Sequence, residues 1–180
     1  METKITKFAD IKLLTRVGNW ECDFGLEEVL RFIDDRSNDD LYKMDLDPDF
    51  QRGHVWDASK QIKWLEFIMR GGQTSRVIYF NHPGWQNDYK GTMVLVDGKQ
   101  RIESLRRFFN NEIKVFGSYY KEFTDTTRMI HNTMKINVNN LKTRAEVLQW
   151  YIDFNAGGVY HTVEEIGRVQ ALLDEENSKI

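Results

Sequence analysis

The chain has 180 residues, enough for one compact domain with a real core, and its 41% hydrophobic and 29% charged residues are those of a globular protein, not a disordered one. A formal net charge of -3 excludes coating of nucleic acid through overall charge and leaves room only for a local basic patch. The single cysteine, Cys22, excludes an internal disulfide and a cysteine-built zinc site and fits a reducing compartment, while no stretch approaches the ~20 apolar residues of a membrane span, so the expectation is a cytoplasmic protein with one domain over residues 1–180.

Leu26, Val29, Leu30 and Ile33 fall at i, i+3, i+4 and i+7, which predicts an amphipathic helix opening near Gly25 and fraying in the polar stretch Arg36–Asp40. Asp57 is placed to cap a second helix with Ile62, Leu65, Ile68 and Met69 on one face, and Gly71-Gly72 ends it. Trp64 and Phe67 widen its apolar stripe, so it reads as a core helix. Arg76–Asn81 and Thr92–Val96 read as short buried strands, separated by a loop containing Pro83-Gly84 and Asn87-Asp88. A third helix follows, with Ile102, Leu105, Phe108 and Phe109 pointing one way and Arg106 and Arg107 toward solvent.

Glu112–Phe116 reads as a strand, and the weakly patterned Ser118–Asn140 region holds a strand only near Met134–Val138. Thr143-Arg144-Ala145-Glu146 and Thr162-Val163-Glu164-Glu165 both match the reciprocal capping box. Two helices are expected from them, the first burying Val147, Leu148, Tyr151 and Phe154, the second Ile166, Val169, Leu172 and Leu173. Asn155-Ala156-Gly157-Gly158 reads as a glycine-rich stop between them that frees backbone N–H groups.

Chemistry concentrates where the apolar run Met93–Val96 stops at Asp97-Gly98-Lys99-Gln100-Arg101 and resumes at helical spacing. A strand passes into a helix through a glycine, with a carboxylate, an amide and two cations at the junction. Unpaired N–H groups of a first helical turn attract anions, and Gly98 permits close approach to the main chain, a combination that suits a phosphate. The plainer reading stands beside it: Asp97 as an N-cap and Arg101 as a solvated or ion-paired residue. A second cluster, Phe50 to Asp57, offers the forked donors of Arg52 and the amide of Gln51; the plainer reading pairs Arg52 with Asp45, Asp47 or Asp49 and buries Trp56.

Other sites are weaker. Asp45, Asp47 and Asp49 begin like a calcium loop, but Phe50 stands where that loop needs glycine and Trp56 where it needs glutamate. The histidines, His54, His82, His131 and His161, form no compact metal-ligand pair, and no Walker segment is present. Tyr79, Trp85, Tyr89, Tyr119 and Tyr120 offer faces on which a base can stack, beside the plainer reading of core or loop packing.

Taken in order, Phe50-Gln51-Arg52 with Trp56, then Val96-Asp97-Gly98-Lys99-Gln100-Arg101, then Phe154-Asn155-Ala156-Gly157-Gly158 with Thr162, Glu164 and Glu165 resemble the N-terminal domain of GmrSD-type modification-dependent restriction enzymes. The resemblance implies an α/β (α+β) fold of the ParB/sulfiredoxin-like kind, a small mixed sheet flanked by helices with further C-terminal helices. It also implies binding and hydrolysis of a nucleoside triphosphate with Mg²⁺. Carried over by position, Asp97 and Arg101 are the catalytic pair, Asp97 orienting a metal-bound or attacking water. Gly98 is the point of close approach, Gln100 and Arg101 hold phosphates, and Gln51 and Arg52 close the site from the other side. Asn155, Gly157 and Gly158 form a secondary loop.

Lys99 departs from the family's Asp-Gly-Gln-Gln-Arg hallmark: a cation there can contact a phosphate but cannot accept a hydrogen bond. Full-length relatives continue into a metal-dependent nuclease domain, whereas this sequence stops at Ile180, so DNA cleavage by the chain itself is not expected and a nuclease or restriction-enzyme partner is. The alternative is a non-enzymatic, ParB-like DNA-binding or regulatory module of a phage or mobile element. Homodimerisation through the apolar C-terminal helices is a further expectation.

Overall fold

The computed structural model describes residues 4–8, 11, 20–37, 43–51, 56–156 and 163–179. In chain order these form β1 (Trp20–Phe24), α1 (Leu26–Ser37), β2 (Met44–Asp45), α2 (Ala58–Met69), β3 (Val77–Asn81), β4 (Met93–Asp97), α3 (Lys99–Phe109), β5 (Met134–Asn139), α4 (Arg144–Ala156) and α5 (Val163–Asn177). The strands make one five-stranded sheet in the order β1-β5-β3-β4-β2, antiparallel at β1–β5 and β3–β4 and parallel at β5–β3 and β4–β2. The α+β fold with a mixed sheet flanked by helices is therefore present.

Alternation along the central strands builds two cores from one sheet, because successive side chains of a strand point to opposite faces. Ile78 and Phe80 of β3, Met93 and Leu95 of β4 and Met134, Ile136 and Val138 of β5 are buried with the apolar stripes of α1, α2 and α3. The residues between them, Tyr79, Val94 and Val96, pack instead with Phe50, Leu148 and Tyr151 and with Val169 and Leu173 of α5. Val169 and Leu173 of α5 are thus used within the chain. Among the described residues no helix is long and apolar enough to cross a membrane.

The helix ends follow their local chemistry. Asp57 caps α2 by accepting from the Lys60 N–H at 2.8 Å, and the chain leaves that helix through Gly71 at φ +94°. The first capping box forms reciprocally: the Glu146 N–H donates to Thr143 Oγ1 (3.2 Å) and the Thr143 N–H to Glu146 Oε2 (3.0 Å). Thr162, the cap of the second box, lies outside the described residues.

Several expectations are corrected. Glu112–Phe116 is not a strand: left-handed residues stand at Asn111 (φ 62°) and Phe116 (φ 53°), and among the described residues its only pairing is an isolated bridge between Val115 and Ser118. Ile113 and Val115 are buried as anchors of a turn instead, while Phe116 is exposed. Arg106 and Arg107 do not simply face solvent; Arg106 pairs with Asp34 of α1 at 2.6 Å and Arg107 donates to the buried Gln61 of α2 at 2.6 Å, tying three helices together. The short strands β1 and β2 were not foreseen. Helix α4 extends through Ala156, so Asn155 is a helical residue and not part of a loop.

His82, at the end of β3, is fully buried and accepts the Gly84 N–H on Nδ1 at 3.1 Å. Burial holds its imidazole below the ordinary value of about 6.5, the nearby Lys142 charge acting the same way. A depressed folded-state value means the unfolded chain takes up the proton first, so stability present above about pH 6.5 is lost as pH falls through the folded value. Thermal unfolding followed by circular dichroism is expected to show the melting temperature dropping between pH 7 and pH 5, with a shallower drop in His82→Asn; parallel slopes in the two proteins contradict this.

Candidate functional site

The junction between β4 and α3 takes its shape from Gly98. Its φ of +120° is one that side-chain-bearing residues rarely adopt, and a Cβ there would lie 3.0 Å from Ile78 Cγ2 and 3.2 Å from the Ile78 Cα. The close approach that glycine permits is thus to β3, which packs directly beneath the turn. Gly98 is also the N-cap of α3 and offers no side-chain cap, so Asp97 is not the helix cap. Asp97 Oδ2 instead accepts from Arg101 Nη1 at 2.8 Å, one helical turn on, and the same Nη1 donates to the Val77 carbonyl at 2.9 Å. Arg101 is thereby fastened to the sheet by one nitrogen, its Nε is buried without a partner, and its Nη2 has no acceptor among the described residues.

A cleft of about 530 Å³ opens over this junction. Gln51 and the whole turn from Val96 to Arg101 line it, so two stretches distant in sequence meet at one site. Tyr151, Phe154 and Asn155 of α4 form one wall, and α2 contributes Lys60, Lys63 and Phe67 to the other. Asn155, expected in the site, does line it, with its Nδ2 tied to the Tyr151 carbonyl at 2.7 Å. Arg52, Gly157 and Gly158 lie outside the described residues.

Three of the expected phosphate contacts have other partners in this structure. Gln51 Nε2 donates to the Leu95 carbonyl on the outer edge of β4, past the point where the two-residue β2 stops pairing with it. Gln100 Oε1 accepts the Trp56 N–H at 3.0 Å, bracing the segment before α2 against the start of α3. Lys99 Nζ pairs with Asp47. These groups shape the cleft through such ties, and Arg101 and the start of α3, which has no side-chain cap, line it beside them.

The aromatic lining also differs from expectation. None of Tyr79, Trp85, Tyr89, Tyr119 and Tyr120 lines the cleft; Trp56, Trp64, Phe67, Tyr151 and Phe154 do. Phe67 is 45% exposed and so is not a core residue, and Lys60 sits over the Trp56 ring at 5.1 Å. Tyr79 lies behind the wall, its ring 4.9 Å from that of Phe154 and its backbone opposite Asp97 in the sheet. Burial first, and then the Asp97 carboxylate, push its phenol above the usual value, so it stays a neutral proton donor across the physiological range.

Among the described residues no group of three or more His, Cys, Asp or Glu side chains is arranged to hold a metal by itself. Asp45, Asp47 and Asp49 are dispersed in use: Asp45 accepts the Asp47 N–H, Asp47 pairs with Lys99 and Asp49 with Arg144. Among the described residues the one carboxylate lining the cleft is that of Asp97, whose Oδ1 accepts no hydrogen bond from any of them.

The profile of the family described as GmrSD restriction endonuclease, N-terminal domain, matches residues 29–146. The match contains Gln51 and the turn from Asp97 to Arg101 and ends before Tyr151, Phe154 and Asn155. No curated protein and no solved structure matches the chain.

The Gly98 geometry yields a direct test. Gly98→Ala has to adopt a disfavoured φ and push on Ile78, so it is expected to lower stability by about 1–3 kcal/mol in urea unfolding. An unchanged unfolding midpoint contradicts the geometry of the turn.

Proposed function

Since the chain belongs to the family of GmrSD restriction endonuclease N-terminal domains, we propose that it binds a nucleoside triphosphate in the cleft over the β4–α3 junction and hydrolyses it, the ParB/sulfiredoxin-like kinship being part of the same reading. One observation carries the proposal: Gln51 and the Asp97–Arg101 turn line a single cleft together with aromatic residues and the cations Lys60 and Lys63. Aromatic faces suit a base, and cations beside the positive end of a helix suit a polyphosphate tail. The volume of about 530 Å³ lies within the ~300–1,000 Å³ range of small-molecule sites.

In this reading Arg101 Nη2 and the start of α3 take the phosphates, with Lys63 and Lys60 of α2 adding charge from the opposite wall. Mg²⁺ fits on the chemistry of the donor set: it commonly binds through one or two carboxylates plus substrate phosphates, and Asp97 supplies one carboxylate. When bound with the nucleotide it would neutralise phosphate charge. In hydrolysis a water oxygen bonds to the γ-phosphorus while the bond from that phosphorus to the β–γ bridging oxygen breaks, giving nucleoside diphosphate and phosphate. Asp97 Oδ1 holds that water in line, and Arg101, locked by Asp97 and Val77, meets the developing charge without having to reorganise.

Calorimetric titration with the four ribonucleoside triphosphates, with and without Mg²⁺, followed by phosphate-release assays tests this. Wild type is expected to bind at least one of them, Arg101→Ala to bind it at least about tenfold more weakly, and Asp97→Asn to bind without the gain in affinity that Mg²⁺ gives wild type and to lose most phosphate release. Circular dichroism confirms that each variant is folded. Absence of binding to wild type, or wild-type affinity in a folded Arg101→Ala, overturns the proposal.

A further inference from the structure

Gln51 forms part of the cleft, yet residues 47–51 belong to no helix or strand. The segment's own backbone supplies one turn bond, from the Gln51 N–H to the Pro48 carbonyl at 2.9 Å. Lys99 pairs with Asp47, the Asp47 N–H donates to Asp45 and the Gln51 amide reaches Leu95, and at Asp49, Phe50 and Gln51 the C-terminal helix pair adds bonds of its own. Arg168 of α5 donates through Nη2 to the carbonyls of Gln51 (2.9 Å) and Phe50 (3.3 Å). Arg144, which opens α4, reaches both carboxylate oxygens of Asp49 (2.9 and 2.8 Å) and also pairs with Glu176 of α5 at 3.5 Å. Between these two arginines Phe50 is buried, edge-on to the cleft-lining Tyr151 with ring centroids 5.2 Å apart.

These contacts make a continuous connection from α5 through the Phe50–Gln51 backbone to the cleft. The Gln51 amide can hold the Leu95 carbonyl only while its backbone is fixed, and Arg168 bonds the carbonyl of that same residue. The sheet, α2 and α3 already have the first core beneath them, so loosening this segment need not unfold them. Residues Tyr151 to Asn155 and all of α5 lie beyond the family match at residues 29–146, so this side of the cleft belongs to the part of the chain that the match does not describe.

We infer that Arg168 is a positioning residue of the cleft and that the α4–α5 pair acts through it as a clasp, fixing the Gln51 wall for the triphosphate; this rests on the function proposed above. Arg168 touches main-chain carbonyls and no reacting atom, so its influence falls on affinity and not on the chemical step. Linkage makes the influence reciprocal: a ligand that needs Gln51 in place also favours α5 in its docked position.

Two measurements on the full chain test this: amide hydrogen exchange without nucleotide, and titration with a non-hydrolysable analogue of the triphosphate that wild type binds. In Arg168→Ala, exchange is expected to quicken at Phe50 and Gln51 while β3, β4 and β5 keep their protection. Affinity falls about five- to tenfold, the scale of a lost hydrogen-bond donor, with Arg168→Lys between the two proteins. The analogue slows exchange across α5 in wild type and does so far less in Arg168→Ala, a coupling that a purely structural role does not produce. Unchanged exchange at Phe50 and Gln51 overturns the inference whether or not nucleotide binds. So does unchanged affinity in a variant whose segment has loosened. If wild type binds no triphosphate, the proposed function fails on its own, and the exchange measurement still decides whether Arg168 holds the segment.

Discussion

The site depends on how β4 passes into α3. At φ +120°, Gly98 turns the chain sharply enough for α3 to start directly over β3, with Ile78 filling the space a side chain would need. The turn leaves Asp97 and Arg101 one helical turn apart, close enough to bond, and sets Arg101 against the Val77 carbonyl. A guanidinium fixed in two directions has little rotamer freedom left to lose when an anion arrives. Lys99 and Gln100, whose side chains hold Asp47 and the Trp56 amide, use the same turn to draw in the segments on either side of the cleft.

The sheet makes this arrangement possible by having two covered faces. Its first core, under α1, α2 and α3, carries the bulk of the buried apolar surface and anchors the β4–α3 junction. The second, smaller core lies under α4 and α5 and includes Phe50 and Tyr151, so the wall of the cleft opposite α2 rests on a separate set of contacts. A cleft between one large core and one small one can keep its chemical groups in place on one side and adjust on the other. This division gives the α4–α5 pair its influence over Gln51.

Most of the helical framework was legible in the sequence because amphipathic spacing and capping chemistry are local: Leu26 to Ile33, Asp57 with Lys60, and Thr143 with Glu146 each state their structure within a few residues. The Asp97–Arg101 junction was legible for the same reason, since an apolar strand, a glycine and a resumed helical period are adjacent in the chain. Partners distant in sequence were not legible. Nothing local says that Lys99 meets Asp47, that Gln100 meets the Trp56 amide, or that the exposed side of α2 bearing Lys63 and Phe67 faces a cleft. Trp20–Phe24 was missed because a five-residue edge strand with Glu21 and Asp23 facing outward reads as polar chain. Glu112–Phe116 misled for the opposite reason: its apolar alternation reflects two anchors of a turn, with left-handed residues setting the backbone path.

The central claim is spatial, that Gln51, the Asp97–Arg101 turn and the α4 aromatic wall together receive one triphosphate. A crystal structure of the chain with a non-hydrolysable triphosphate and Mg²⁺ tests it most directly. The account predicts the phosphates at the start of α3 within hydrogen-bond reach of Arg101, with the base against an aromatic side chain of the same cleft. A nucleotide seated elsewhere, or a cleft that stays empty at saturating concentration, contradicts it.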